Sequence, residues 1–392
     1  MRFSLLALLF AVYTPLIAQL QNLRPKTTTV LHATRSNTDY QVYIQLPTDY
    51  GKESLTYPVI VSLDAQDESL FAYTSATIDR LMGTHDIPSA LFIGIVQKNR
   101  SQELSVERSD SLTSLFRQFI ETDLVIHLKQ TYSITDHFTF IGHSLGGQFV
   151  TDAMMASPTL FRSVISISGA LNYPTQDQAY RFYQKKVLAR LAQYTPRTSG
   201  STQKYYFCVG NEGMQDELFQ TGALTADSLL QTKQRPDFVW RFDRFNQFNH
   251  MTTPLVGVPA GLVFVFHDWH FSERLAMDIL VDQKVDPITA LQHQQARIRQ
   301  SYGADIALPS TIYYQFVQFY QAKNELEKAK WLTNQLISRH TTDDKPLEMM
   351  ADIVLKQGNQ QAGIAYLRQA YQASNQAKYL KRIRELENSP SK

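Results

Sequence analysis

The sequence predicts an α/β fold with a mostly parallel central sheet, followed by a small all-α domain of helical repeats. Three observations lead there. Between residue 57 and about residue 280, short apolar β-type runs alternate with helix-compatible segments, as strands joined by crossover helices do. In the middle of that series, Phe138-Thr139-Phe140-Ile141 enters the pentad Gly142-His143-Ser144-Leu145-Gly146, and a helix-compatible stretch, Gln148 to Ala156, leaves it. From about residue 283 the chain turns helix-rich and Gln-rich, without strand patterns.

Each element has a local reason. Thr27 to Leu31 is rich in β-branched residues and Tyr40 to Leu46 alternates apolar with polar, with Ser36-Asn37 between them, so they read as a hairpin at a sheet edge. Tyr57 to Leu63 and Ala90 to Val96 are continuous apolar runs, as expected for strands covered on both faces. A helix is expected over Tyr73 to Met82. Another is expected over Ser111 to Tyr132, with Leu115, Phe119, Leu124, Ile126 and Leu128 at helical spacing. Further strands follow at Val164 to Ser168, Lys204 to Val209 and Asp237 to Phe242; residues 174–203 between them read as an insertion over the site. Thr253-Pro254 reads as a helix start, the hydroxyl as N-cap and proline in the first turn.

In the tail, Asn324 aligns with Gly358 at an offset of 34 residues, which also pairs Ala329 with Gly363, Leu332 with Tyr366 and Leu336 with Ala370. That period and the placement of small residues resemble tetratricopeptide helix pairs. At the other end, Arg2, the apolar run Leu5 to Val12 and Leu16-Ile17-Ala18 before Gln19 read as an export signal; Pro15 interrupts a run already short for a membrane span. The expected division is therefore a signal over 1–18, an α/β domain over 19–282 and a helical domain over 283–392. In 392 residues, 43% hydrophobic and 19% charged residues describe a folded chain, and a net charge of +2 without a basic stripe points away from nucleic acid. The single cysteine, Cys208, lies in an apolar run and is expected to be a buried thiol.

The pentad suggests nucleophilic chemistry. A serine at the apex of a tight strand-to-helix turn exposes its hydroxyl, and glycines two residues away on either side let strand and helix approach closely. Such a serine needs a base, and the base needs an acid to hold its tautomer. His250 lies beyond the Asp237 to Phe242 strand and just before Thr253-Pro254, where the base belongs; His143 is expected to project from the other side of the turn. For the acid, Glu212 lies closest to the strand end after Val209, with Asp216 second and Asp243 third. One oxyanion donor should be the Leu145 N–H, the other an N–H of the loop around Ala65 and Gln66.

These residues, with Leu63-Asp64-Ala65-Gln66, Gly94-Ile95, Asn99-Arg100, Pro158-Thr159-Leu160-Phe161, Gly210-Asn211-Glu212 and Asn249-His250, resemble the putative-esterase branch of the α/β-hydrolases. That branch includes enterobactin esterases, esterase D, feruloyl esterases and the antigen 85 mycolyltransferases, and the resemblance covers about residues 27–279. It implies the α/β-hydrolase fold, Gln66 as the second oxyanion donor, and Asp64 and Arg100 near the substrate. Gly169-Ala170-Leu171-Asn172-Tyr173 departs from the Pro-Ser-aromatic pattern of many relatives. The function expected is an exported serine hydrolase of carboxylic esters of the siderophore, sugar or small-acyl class. No metal or organic cofactor, nucleic acid or membrane span after signal cleavage is implied, and the helical tail is a possible partner-binding surface. The alternatives are an acyltransferase using the same acyl-enzyme and a non-catalytic scaffold with an inert hydrolase domain.

Overall fold

The computed structural model describes residues 24–52, 54–172, 186–196, 200–233, 235–281, 283–340 and 343–388. The expected signal, Tyr173 and much of the expected 174–203 insertion lie outside them. The chain forms two compact units. The first comprises Pro58–His267, the chain up to Thr48, and Ser301–Ala304; the second takes Asp49–Tyr57, Asp268–Gln300 and Asp305 onward. The second thus starts earlier than the change of texture at residue 283. Trp269 Nε1 donates to the Ala307 carbonyl at 3.0 Å, and Gln294 Nε2 donates to the carbonyls of Asp268 and Trp269, which ties the start of this unit to its helices.

In the first unit an eight-stranded sheet has the order β1-β2-β4-β3-β5-β6-β7-β8. The hairpin β1 (Thr27–Ala33) and β2 (Thr38–Gln45) is antiparallel, and β2 runs antiparallel to β4 (Leu91–Val96). β3 (Tyr57–Ser62) pairs with β4 in parallel. So do β5 (Ile134–His143), β6 (Ser163–Ile167), β7 (Gln203–Glu212) and β8 (Phe238–Asn249) with their successive neighbours. β3 and β6 are buried along their whole length, as the continuous apolar runs require. Two of the helices, α1 (Glu68–Gly83) and α5 (Leu145–Ala156), follow β3 and β5 directly. Asp67 caps α1, its carboxylate accepting from the Leu70 N–H at 3.0 Å; this starts the helix five residues before the expected Tyr73.

The segment expected as one helix over 111–132 is interrupted. The short helix α2 (Arg100–Glu103) is followed by α3 (Asp110–Gln118), a π-helical turn (Phe119–Leu124), and α4 (Val125–Thr131). A wider turn takes up an extra residue and shifts the phase of the buried face. Phe116, Phe119, Ile120, Leu124 and Leu128 are therefore core residues, while Ile126, expected inside, is 52% exposed. After β6 come α6 (Lys186–Gln193), α7 (Gly213–Gln231) and α8 (Pro254–Phe266). His267 and His270 lie beyond the end of that last helix.

The second unit holds α9 (Glu273–Leu280), most of α10 (Pro287–Tyr302), and five further helices. These are α11 (Ser310–Ala322), α12 (Leu326–Arg339), α13 (Asp344–Lys356), α14 (Gln360–Ser374) and α15 (Ala377–Glu387). α13 starts 34 residues after α11 (344 − 310), and α14 starts 34 after α12 (360 − 326). Asn324 and Gly358 both take positive φ in the connecting turns, at 58° and 82°. Ala329, Leu332, Leu336 and Ala370 are buried, but Tyr366 is only half-buried and Leu367 takes the core place beside it.

Candidate active site

The turn between β5 and α5 holds Ser144 at φ 59° and ψ −117°, a conformation that non-glycine residues rarely adopt. The backbone fastens it there. Ser144 N donates to the Ile167 carbonyl at 3.0 Å, and the Ser144 carbonyl accepts from Ala170 N at 3.1 Å and Gln148 N at 3.1 Å. Gly142 is required by close approach, since a Cβ at that position would lie 2.2 Å from the Gly146 carbonyl oxygen. The Leu145 N–H at the start of α5 and the Gln66 N–H, in the turn after β3, have no acceptor among the described residues. Both are therefore open to an incoming oxyanion.

His250 follows the last residue of β8 directly, and Asp216 stands in the first turn of α7, just beyond β7. The register of β7 with β8 slips between Gly210 and Glu212, and Gln247 within the slip takes φ 67°. Such irregularities at strand ends re-aim side chains. Here β8 runs on to Asn249, seven residues past the strand end expected at Phe242 (249 − 242).

His250 Nδ1 lies 2.9 Å from Asp216 Oδ1. Asp216 is 0% exposed, and its other oxygen accepts from Gly210 N at 2.9 Å, Ser168 Oγ at 3.0 Å and Thr253 Oγ1 at 2.9 Å. Gly210 is the second glycine that approach demands, because a Cβ there would meet Asp216 Oδ2 at 2.5 Å. Burial, the largest single influence, pushes the Asp216 pKa up. The hydrogen bonds from His250 and Thr253, the charge interaction with His250 and the Ser168 bond together outweigh it, and the carboxyl ends below its ordinary value. An ionised carboxylate only accepts, so Nδ1 of His250 carries the hydrogen, the tautomer that in the neutral ring leaves Nε2 as the acceptor. The Phe219 ring packs against the imidazole in a T-shaped arrangement, 5.2 Å between centroids at 69°.

The preferred acid, Glu212, does not reach this pair. It is exposed at the end of β7. The reason is geometric: α7 starts immediately after it, and Asp216, one turn in, faces the strand ends. Asp243, the third choice, sits within β8, accepting from Tyr206 and Arg241. Thr253 also departs from expectation. Its side chain makes no N-cap bond and lies within reach of Asp216 and the Asn249 carbonyl. His143, expected on the far side of the turn, instead packs on His250 with ring centroids 4.4 Å apart.

Asp64 and Arg100 meet each other. Arg100 Nε and Nη2 lie 2.6 and 2.8 Å from the two Asp64 carboxylate oxygens, and Gln66 Nε2 donates to the same carboxylate at 2.9 Å. Both Asp64 oxygens are thus engaged within the chain, while Arg100 keeps 37% of its side chain exposed. Ser168, Thr253 and Phe219 went unnoticed in the sequence as members of the site. For Ser168 a signal existed, a hydroxyl at the end of an apolar strand; Thr253 was hidden by its resemblance to a cap. A cleft of about 660 Å³ lined by Arg117, Asp152 and Arg190 is a separate feature, at the opposite end of α5 from Ser144.

A family model described as "Putative esterase" matches residues 33–241. The chain belongs to this esterase family. The match covers the elbow and the first turn of α7 with Asp216, and stops nine residues short of His250 (250 − 241). Among solved structures, this esterase-family chain is similar to an IroE-like serine hydrolase from Shewanella oneidensis. The identity is 16% and the TM-score 0.62, over 79% of this chain and 98% of that one. It is also similar to an uncharacterised protein from Capnocytophaga ochracea, at 15% identity and TM-score 0.64, over 93% and 100% of the two chains. The siderophore hydrolase EstB from Aspergillus nidulans aligns at 16% identity and TM-score 0.51, over 62% of this chain and 95% of its own. At these identities the likeness is one of fold, and it establishes the α/β-hydrolase type of the first unit. No curated protein sequence matches.

Proposed function

We propose that the protein is a serine hydrolase of carboxylic esters, with Ser144 as nucleophile, His250 as general base and Asp216 as the acid that orients it. The observation that carries this reading is the buried Asp216–His250 pair, set just beyond the ends of β7 and β8 in the chain order nucleophile, acid, histidine. Ser144 Oγ attacks the ester carbonyl as His250 Nε2 takes its proton. The Leu145 and Gln66 N–H groups hold the oxyanion, and collapse expels the alcohol, which His250 protonates. Water, activated by the same base, then frees the acid from the acyl-enzyme. Arg100 Nη1 has no acceptor among the described residues and faces the substrate in this reading.

The ester class follows the siderophore hydrolases among the fold neighbours, with acylated sugars and small acyl esters beside it. A panel of activated and natural esters, a siderophore lactone included, tests this. Turnover by the wild type and none by Ser144→Ala supports the reading; equal turnover by both overturns it. Residues 1–18 are read as an export signal, and a mature protein starting elsewhere than Gln19 would remove that reading. Among the described residues no helix is long and apolar enough to cross a membrane. The 34-residue helix spacing supports a tetratricopeptide-like tail. A consensus repeat grafted after α14 should then stack and raise the unfolding temperature, whereas a destabilised chimera would argue for a plain bundle.

A further inference from the structure

We propose that His143 is a positioning residue that holds the base: its Nε2–H hydrogen-bonds the His250 carbonyl while its ring braces the His250 imidazole. The proposal rests on the reading of Ser144, His250 and Asp216 as a triad. His143 immediately precedes Ser144, so whatever it binds is held within one residue of the nucleophile. Its Nε2 lies 2.8 Å from the His250 carbonyl oxygen, and the two rings stand 4.4 Å apart at 36°.

The need for this bond is written in the chain. At the entry to α8 the His250 carbonyl would ordinarily accept from the N–H four residues on, as Asn249 does from Thr253. Residue 254 is proline and has no N–H. No other donor reaches this carbonyl among the described residues, and His250 is buried. His143 therefore supplies from β5 the bond that Pro254 withholds.

A carbonyl only accepts, so Nε2 of His143 carries the hydrogen and Nδ1 is bare. Burial, helped by the neighbouring His250, holds the His143 pKa down to about 4, and the ring is neutral at neutral pH. The titratable and charged groups around it are His250 just beyond β8, Asp216 in the first turn of α7, Arg100 with its partner Asp64, and Asp67 at the start of α1. Neutrality suits the role. A second imidazolium here would oppose the one that forms on His250 as it takes the Ser144 proton.

The experiment uses the full-length protein and compares His143→Phe, which keeps a ring and loses the donor, with His143→Gln, which keeps an amide N–H. Steady-state hydrolysis of p-nitrophenyl acetate and the rate of inactivation by a fluorophosphonate are read for each. His143→Phe should lower kcat about 100-fold with KM within about twofold, the scale of a slightly misplaced base, and His143→Gln should recover about tenfold of that loss. His143→Leu carries the same comparison if phenylalanine is not accommodated. Wild-type kcat in His143→Phe, an equal loss in both variants, or a loss confined to KM overturns the proposal. A wild type that the fluorophosphonate never labels removes the triad and the proposal together. A labelled wild type with an indifferent His143→Phe removes the proposal alone.

Discussion

Asp216 carries the site's electrostatics, because a fully buried carboxylate there meets His250, Ser168, Thr253 and the Gly210 N–H at once. Replacing it with asparagine leaves the shape and removes the charge that fixes the His250 tautomer. Asp216→Asn should lower kcat by about 10⁴-fold, while Glu212→Gln, on an exposed strand end, should stay within about twofold of wild type. Steady-state kinetics on one ester separates the two. The depressed Asp216 pKa also sets a sign for stability. Its contribution is full above the unfolded carboxylate value of about 3.9 and is lost as pH falls through the lower folded value. Thr253→Val removes one donor to the carboxylate and should cost about 1.5–3 kcal/mol at neutral pH, with acid unfolding beginning at higher pH. Urea titrations across the acid range measure both; an unchanged acid midpoint would count against the assigned bond. Sequence spacing preferred Glu212, four residues before the carboxylate that meets His250 (216 − 212). Proximity to a strand end is a poor guide where a helix begins at once and turns its first-turn side chains back toward the sheet.

The element that positions Ser144 is the β5–turn–α5 unit, and its tolerance is set by backbone against backbone. A methyl on Gly142 would press on the Gly146 carbonyl, which cannot swing away as a side-chain tip can. Gly142→Ala should therefore cost at least the ~1–3 kcal/mol of an overpacked site and remove turnover with it. Gly83, at the end of α1, has open space around its missing Cβ, and Gly83→Ala should stabilise by roughly 0.5–1 kcal/mol. Denaturant midpoints of the two variants should move in opposite directions, and parallel shifts would refute the close approach. The elbow was legible because its residue types are forced by that crowding. The π-helical turn at Phe119–Leu124 was not, since apolar residues spaced for 3.6 per turn carry no mark of one wider turn, and Ile126 was misplaced as a result. The length of β8 was hidden for a related reason: Asn246, Gln247 and Asn249 are loop-like residues held in a strand by a register slip.

At the scale of the whole molecule, stability rests on packed cores, because the one cysteine has no partner in the chain. Cys208 is 1% exposed between β6 and α8, and burial pushes its thiol pKa well up. A thiol reagent should modify it only after unfolding by denaturant, and fast modification of the native protein would contradict the burial. The alternation of strands and helices was readable along the chain because crossover connections demand it. The division into units was less so: contacts such as Trp269 with Ala307 join residues that composition assigned apart. The central claim is that this scaffold presents Ser144 to an ester carbonyl, with His250 and Asp216 behind it. Intact-protein mass spectrometry after a fluorophosphonate tests it most directly. One adduct is predicted on the wild type, mapped to Ser144, with none on Ser144→Ala; an adduct of equal yield on both proteins, or none on the wild type, would contradict it.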